Sequence, residues 1–498
     1  MSTLRCLVGD RCSRHLLVLL LMMLYPASVR SACLGVTECS CEPASDGSGQ
    51  VINCRNRGLT AVPTFQPTES ETQYAELTLA GNRIGSIPAR AFVGLRFRRL
   101  DLADNPLAQL DALAFKGVEA ELSEMKMTLV REAEFPVAAI GPLTQLRLLR
   151  VAGFGGGQLP SGALSTLSEL VELGLTAGSL TALNVGDLNG QRGSLRTVVL
   201  HGNELTSVPT AALSAATMLT DLDLSRNRIQ SLPSDAFAGL VNLNALDLSN
   251  NGLGSGGGVD AGAFGGVGTR LRKLTMRSCR LGDRDVQALR QLTALAELTL
   301  SYNSVANLPA DLLDRMRLLR RLRLDNNRLQ TITRSTFSGA ASTLELLDLG
   351  HNPLSRVPAD AVFDLDYLRE LRLDGVANVE LGAESFSRQH RRSLQTLSMR
   401  SSAIGDRLWP IVSALDGLNS LSASDASISA IPDFAFRRNA ALRTIDLSSN
   451  SISSLMQRSM YGLAGSLAVI NLHGNSIASI HQCTFYGFRS VLLTDWLI

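Results

Sequence analysis

From Leu219 the chain alternates apolar and polar residues, with Leu222 and Leu224 set between Asp221, Asp223 and Ser225. Period two over so short a run predicts a half-buried strand, its leucines turned inward and Asp221, Asp223 and Ser225 turned out. Asn227 follows where the chain leaves the strand. Its side-chain amide can bond backbone groups that burial would otherwise leave unpaired. Ile229 and Leu232 turn back inward, Pro233 stiffens the return, and Phe237 closes the coil from the convex side. From Leu243 the same wording recurs as LNALDLSNNGL. Self-similarity at a fixed period predicts a solenoid. One such coil cannot bury its own faces, but stacked coils share a core and align their strands in a parallel sheet.

Units of this kind begin at 74, 97, 122, 146, 170, 195, 219, 243, 271, 295, 319, 344, 368, 394, 418, 442 and 467, which makes seventeen. Asn holds the turn position at 82, 105, 203, 227, 251, 303, 327, 352, 450 and 475. Phe recurs at one offset, at 92, 115, 237, 337, 386, 436 and 485, and reads as a packing spine. Amphipathic helices are a poor reading, because strand alternation and proline punctuation return in every well-formed unit. Some units depart from the pattern. The third has no turn Asn, the fourth carries Gly155-Gly156-Gly157, and the eighth is lengthened through Gly254 to Gly258. The glycine runs read as flexible surface excursions.

The spacing L-x-x-L-x-L-x-x-N-x-L resembles that of the leucine-rich repeat. Ahead of the first repeat, the segment Val51 to Pro63 (VINCRNRGLTAVP) resembles the end of the cysteine-rich N-terminal cap of extracellular leucine-rich repeat proteins. A longer period is also visible. The stretch from Leu271 to Arg284 is echoed five repeats later from Leu394 to Arg407. Such supra-repeats resemble long arthropod cell-surface proteins such as chaoptin. The cap and repeat type also resemble Slit, Toll ectodomains and small matrix proteoglycans. The resemblance implies a β-rich α/β leucine-rich repeat solenoid, a curved horseshoe with its parallel sheet on the concave face.

At 498 residues a globule would be expected to split into domains, whereas a solenoid grows by adding neighbours. Charge is nearly balanced, 47 Lys+Arg against 45 Asp+Glu, which argues against a dedicated nucleic-acid binder. Arg5, Arg11 and Arg14 precede the apolar run Leu16 to Leu24, and small residues follow to Ala32. This pattern is that of a secretory signal peptide, residues 1–31, taking Cys6 and Cys12 with it. The run is too short to span a bilayer, and no later stretch is long and apolar enough to do so. Cys33, Cys39, Cys41 and Cys54 then crowd into a cap over 32–73. In an oxidising compartment they read as two disulfides, with three pairings open. Repeats fill 74–490. The short tail, 491–498, brings no cysteine-rich C-terminal cap, and with Cys483 lacking an obvious partner it reads as a truncated end.

Chemistry is not written into the pattern. No P-loop, H-E-x-x-H, EF-hand loop or G-x-S-x-G occurs. His201, His351 and His473 fall in separate repeats, too far apart to share a metal. Cys279 takes a turn-Asn position without a paired His. No enzyme, no cofactor and no metal site is expected. Binding is what remains: seventeen strands at ~4.8 Å make a sheet roughly 80 Å along its stack. On it, Asp101, Asp223, Asp247, Asp348 and Asp446 read as common repeat surface. Between repeats nine and fourteen, Lys273, Arg277, Arg321, Arg323, Arg372 and Arg400 face outward, interleaved with Glu297, Asp325, Glu370 and Asp374. They read either as a protein-docking patch or as a solvated charge mosaic. The expected function is a secreted or cell-surface binder of extracellular protein, in adhesion, matrix or guidance. The alternatives are an innate-immune or signalling ectodomain, and an inhibitor or non-catalytic enzyme subunit. Self-association, through the concave face or Cys483, is a further expectation.

Overall fold

The computed structural model describes residues 33–66, 73–309, 311–488 and 492–494. The signal-peptide reading of 1–31, with Cys6 and Cys12, lies outside the described residues. The chain divides into two compact units. The first holds the described residues to Thr128 together with Ala138–Ile140, and the second holds Leu129–Val137 and those from Gly141 onward.

The first unit opens with a hairpin, Ser40–Pro43 antiparallel to Gln50–Asn53. Gln50–Asn53 then runs parallel to Tyr74–Thr78, which runs parallel to Phe97–Leu107. Hairpin pairing thus gives way to repeat stacking within one strand. Cys33 bonds Cys41 and Cys39 bonds Cys54, which selects one of the three pairings. Both bridges sit where the first repeat has no neighbour to cover it. Behind the sheet, Phe92 and Phe115 stack at 5.9 Å.

The second unit stacks its strands in chain order, each parallel to the last. Asp221–Asp223 pairs with Ala245–Asp247, then Lys273–Thr275, Glu297–Thr299, Arg321–Arg323, Leu346–Asp348 and Glu370–Arg372. One in-register column runs Leu222, Leu246, Leu274, Leu298, Leu322, Leu347 and Leu371, all buried. Side chains on either flank of each leucine therefore turn to the opposite face, because a strand alternates faces, although beside Leu347 both Leu346 and Asp348 stay buried there. The return limbs are short: 3-10 turns such as Asp285–Gln291 and Arg334–Ala340, and a helix at Leu408–Ala414. At the far end Leu492–Thr494 adds a further parallel strand to Val469–Asn471.

Asparagines tie successive coils together. Asn227 donates its amide to the carbonyls of Leu200 and Leu224, both at 2.9 Å, while its oxygen accepts the Leu205 N–H at 3.1 Å. Asn251 and Asn303 repeat this with their own neighbours. Each amide thus satisfies backbone groups of two coils inside the core, where an unmade bond is costly.

Two expectations change. Ser225 does not face out: it is buried, and its hydroxyl lies 2.9 Å from Nδ1 of His201. The glycine runs are not slack. A Cβ on Gly155 would lie 1.7 Å from the Arg131 carbonyl oxygen, and one on Gly254 would lie 1.9 Å from that of Arg280. Gly258–Val259 forms a strand with Ser231–Leu232. At Gly155 and Gly254, glycine lets one coil's backbone pass against the next.

Candidate functional site: the outward face of repeats nine to fourteen

Two rows of side chains leave the sheet in this stretch of the second unit. One runs Lys273, Glu297, Arg321, Leu346 and Glu370, and the other runs Thr275, Thr299, Arg323, Asp348, Arg372 and Ser398. Arg277 and Arg400 sit two residues beyond their strands, at the same step of repeats nine and fourteen.

The six basic residues do not form one cluster. Arg321 is paired with Glu297 at 3.1 Å. Arg372 is paired with Glu370 at 2.5 Å and lies 4.0 Å from Asp348. Arg400 reaches Asp446 at 3.7 Å and Ser422 Oγ at 3.2 Å. Lys273, Arg277 and Arg323 have no carboxylate partner among the described residues. The Arg277 guanidinium instead lies 4.2 Å from the centroid of the Tyr302 ring. Such a contact is worth roughly 0.5–1 kcal/mol where solvent reaches it.

The carboxylates between these cations are mostly occupied by local bonds. Asp325 accepts from the Ser301 hydroxyl and from Asn326 Nδ2. Asp374 accepts from Ser398 Oγ at 2.6 Å and from the Arg400 N–H at 2.8 Å. Asp348 is only 7% exposed, and its carboxyl is pushed up to about 6. Burial is the main cause, and the charges of Asp325 and Asp374 add to it; the Gly350 N–H and Arg372 oppose it. The recurring strand aspartates have a structural task beyond surface: Asp223, Asp247 and Asp348 each accept the N–H two residues on and so hold the turn.

Tyr302 is the residue that the sequence reading missed. Seven residues into most repeats the backbone turns left-handed, as at Asn250 (φ 57°), Ser278 (55°), Asn326 (55°) and His351 (54°). Gly, Asn and Ser suit that conformation, whereas a bulky ring does not. Tyr302 holds it at φ 59°, and the residue is 46% exposed. The signal was a tyrosine in a column that its neighbours fill with Asn and Ser. On the other side of repeat nine, Asp221, Asp223 and Asp247 wall a shallow groove of 180 Å³ that ends at Lys273.

The remaining positions singled out from sequence are scattered. His351 and His473 are exposed in separate repeats. Cys279 is buried and Cys483 half-buried, both as free thiols. Burial pushes the Cys279 thiol up to about 12, and it donates to the Leu248 carbonyl at 3.1 Å, the task of Asn in other repeats. Among the described residues no group of three or more His, Cys, Asp or Glu is placed to hold a metal ion, and no helix is long and apolar enough to cross a membrane.

The family described as leucine rich repeat matches residues 193–253, 269–329, 317–377 and 416–477. The chain carries leucine-rich repeats over these residues. Over 109 residues it is 36% identical to human leucine-rich repeat-containing protein 3C, a match covering 22% of this chain and 38% of that protein. Over 188 residues it is 29% identical to trophoblast glycoprotein of Macaca fascicularis, covering 29% and 44%. The matches thus span less than half of either relative. The leucine-rich fold is also that of the Drosophila Toll–Spatzle complex. That comparison has a TM-score of 0.63 and 20% identity, over 89% of this chain and 66% of that one.

Proposed function

We propose that this chain is an extracellular protein-binding leucine-rich repeat solenoid, without chemistry of its own, that works in adhesion, matrix organisation or guidance. The observation that carries the reading is the outward sheet face of the second unit. It presents cations and an aromatic ring that the fold does not consume. The two disulfides support an oxidising compartment, since such bonds persist outside the cytosol. A standard interface needs about 800 Å² per partner, which a sheet of this many strands can supply.

The test uses the full chain expressed in secretory cells and then coated on beads. Secretion with both disulfides formed, and bead binding to cells that protease treatment of those cells abolishes, are the expected results. Reduced protein retained in the cytosol would overturn the compartment; binding that survives protease would overturn the protein partner. A second reading, a signalling-receptor ectodomain, is favoured by the likeness to Toll in its complex with Spatzle. Fusion of the chain to a reporter receptor separates the two: ligand-dependent signalling supports the receptor, and bead aggregation alone supports adhesion.

A further inference from the structure

We infer that repeats nine to eleven form the docking point for an acidic extended segment of a partner protein, with Lys273, Arg277 and Arg323 as its cations and Tyr302 as its anchor. The inference rests on the protein-binding reading and places it on particular side chains.

The argument begins with what the fold leaves unspent. Six basic residues decorate this stretch, but three of them are tied to carboxylates of the same chain. An anionic partner gains little from a guanidinium already neutralised, because it must displace the resident carboxylate. Lys273 and Arg323 carry no such partner, and Arg277 is held by a ring rather than a charge. The register puts Lys273 on repeat nine and Arg323 on repeat eleven, separated by the single strand Glu297–Thr299. Two strand spacings of ~4.8 Å separate those backbones, a span that a few residues of extended chain cover. The ground between carries Thr275 and Thr299, with Glu297 beside them already held by Arg321. An extended backbone can therefore approach it closely.

Tyr302 adds the second element. Tyrosine and arginine are the residues most enriched at the energetic centres of interfaces. Here they come as a stacked pair, so the ring is positioned before any partner arrives. The ring sits at a left-handed backbone position where Asn, as in Asn326 of the next repeat, would be easier. Folding alone gives no reason for tyrosine there. Specificity comes from the neighbouring repeats. Asp221, Asp223 and Asp247 face the groove on the near side of Lys273 and repel an acidic segment that slides toward repeat seven. Beyond Arg323, the half-exposed Asp374 does the same on the far side.

The experiment titrates the full, disulfide-bonded chain into a fluorescein-labelled oligo-glutamate peptide and reads anisotropy, with oligo-lysine and a heparin oligosaccharide as parallel probes. The expected result is oligo-glutamate binding that weakens with salt, because the contacts are exposed. Lys273→Glu with Arg323→Glu should weaken it at least about tenfold. Arg315→Glu with Arg317→Glu makes the same charge change at the turn Leu313–Arg315 and just beyond it, and should leave affinity within about twofold. Tyr302→Asn should weaken binding about fivefold with the melting temperature unchanged or raised, which a merely structural tyrosine would not show. Equal losses in the two double variants would overturn the placement, as would binding to oligo-lysine, binding to heparin alone, or no binding. If the peptide fails while protease-sensitive binding to cells persists, this placement falls and the protein-binding reading stands.

Discussion

Asn303 shows what one side chain does in this fold. Its amide donates to the carbonyls of Met276 and Leu300, both at 2.8 Å, and its oxygen accepts the N–H groups of Cys279 and Leu281. Asn303→Ala strands these groups in the core, so the urea midpoint should fall by the equivalent of about 3 kcal/mol. Cys279→Asn, in the same column, should leave the midpoint unchanged or raise it, because an amide donor replaces a weaker thiol one. The ladder was legible from the repeated Asn alone, since one polar residue at a fixed step of an apolar pattern has few other uses. Asp348 was not legible. It shares its wording with Asp223 and Asp247, but only Asp348 is buried. In the folded chain its carboxyl is pushed up to about 6 from 3.8, so between those values the folded state keeps a proton that the unfolded state releases. Stability should therefore fall as pH rises from 4 to 6, by on the order of 3 kcal/mol once ionisation is complete. Asp348→Asn retains an oxygen for the Gly350 N–H and should flatten that pH profile, as measured by urea melts across the range.

At the scale of elements, strand positions were readable and the spacing between coils was not. Leucine alternation places the strands at Leu222, Leu246 and Leu274, and all three stand in register. The run from Gly254 to Gly258 reads as slack because composition records flexibility but not proximity. In the fold, the Gly254 N–H donates to the Cys279 carbonyl at 3.0 Å, and the backbone of the next coil passes directly beside it. Gly254→Ala should therefore cost about 1–3 kcal/mol, as in other overpacked sites. Gly193→Ala, where nothing lies within 4 Å of the added carbon, should be near neutral or slightly stabilising. Paired urea melts decide it, and equal effects would return Gly254 to the slack-loop reading. The charged face shows the same limit. Sequence puts six basic residues outward, but which three find a carboxylate depends on rotamers and cross-strand neighbours that no linear pattern records. Tyr302 needed the backbone too: only the left-handed turn makes a tyrosine unusual there.

For the whole molecule, a stack in which each coil touches its neighbours confines damage to its surroundings. Stability in such a chain is a sum of local terms and nearest-neighbour interfaces. The cap is where this matters most, because Gln50–Asn53 pairs with the hairpin on one side and with Tyr74–Thr78 on the other. Cys33–Cys41 and Cys39–Cys54 hold that hairpin, and both pairs are short loops closed over few residues. Loops of this size restrict the unfolded chain by about 2–3 kcal/mol each in the chain-entropy account. Reduction should therefore release the hairpin first. The amides of Gln50–Asn53 and Tyr74–Thr78 should lose protection from hydrogen exchange, while those of Ala245–Asp247 and Glu297–Thr299 keep theirs. Cys39→Ser should reproduce the pattern without reductant. Uniform loss along the chain would mean that the cap nucleates the entire stack, and the nearest-neighbour description would then be wrong for this protein.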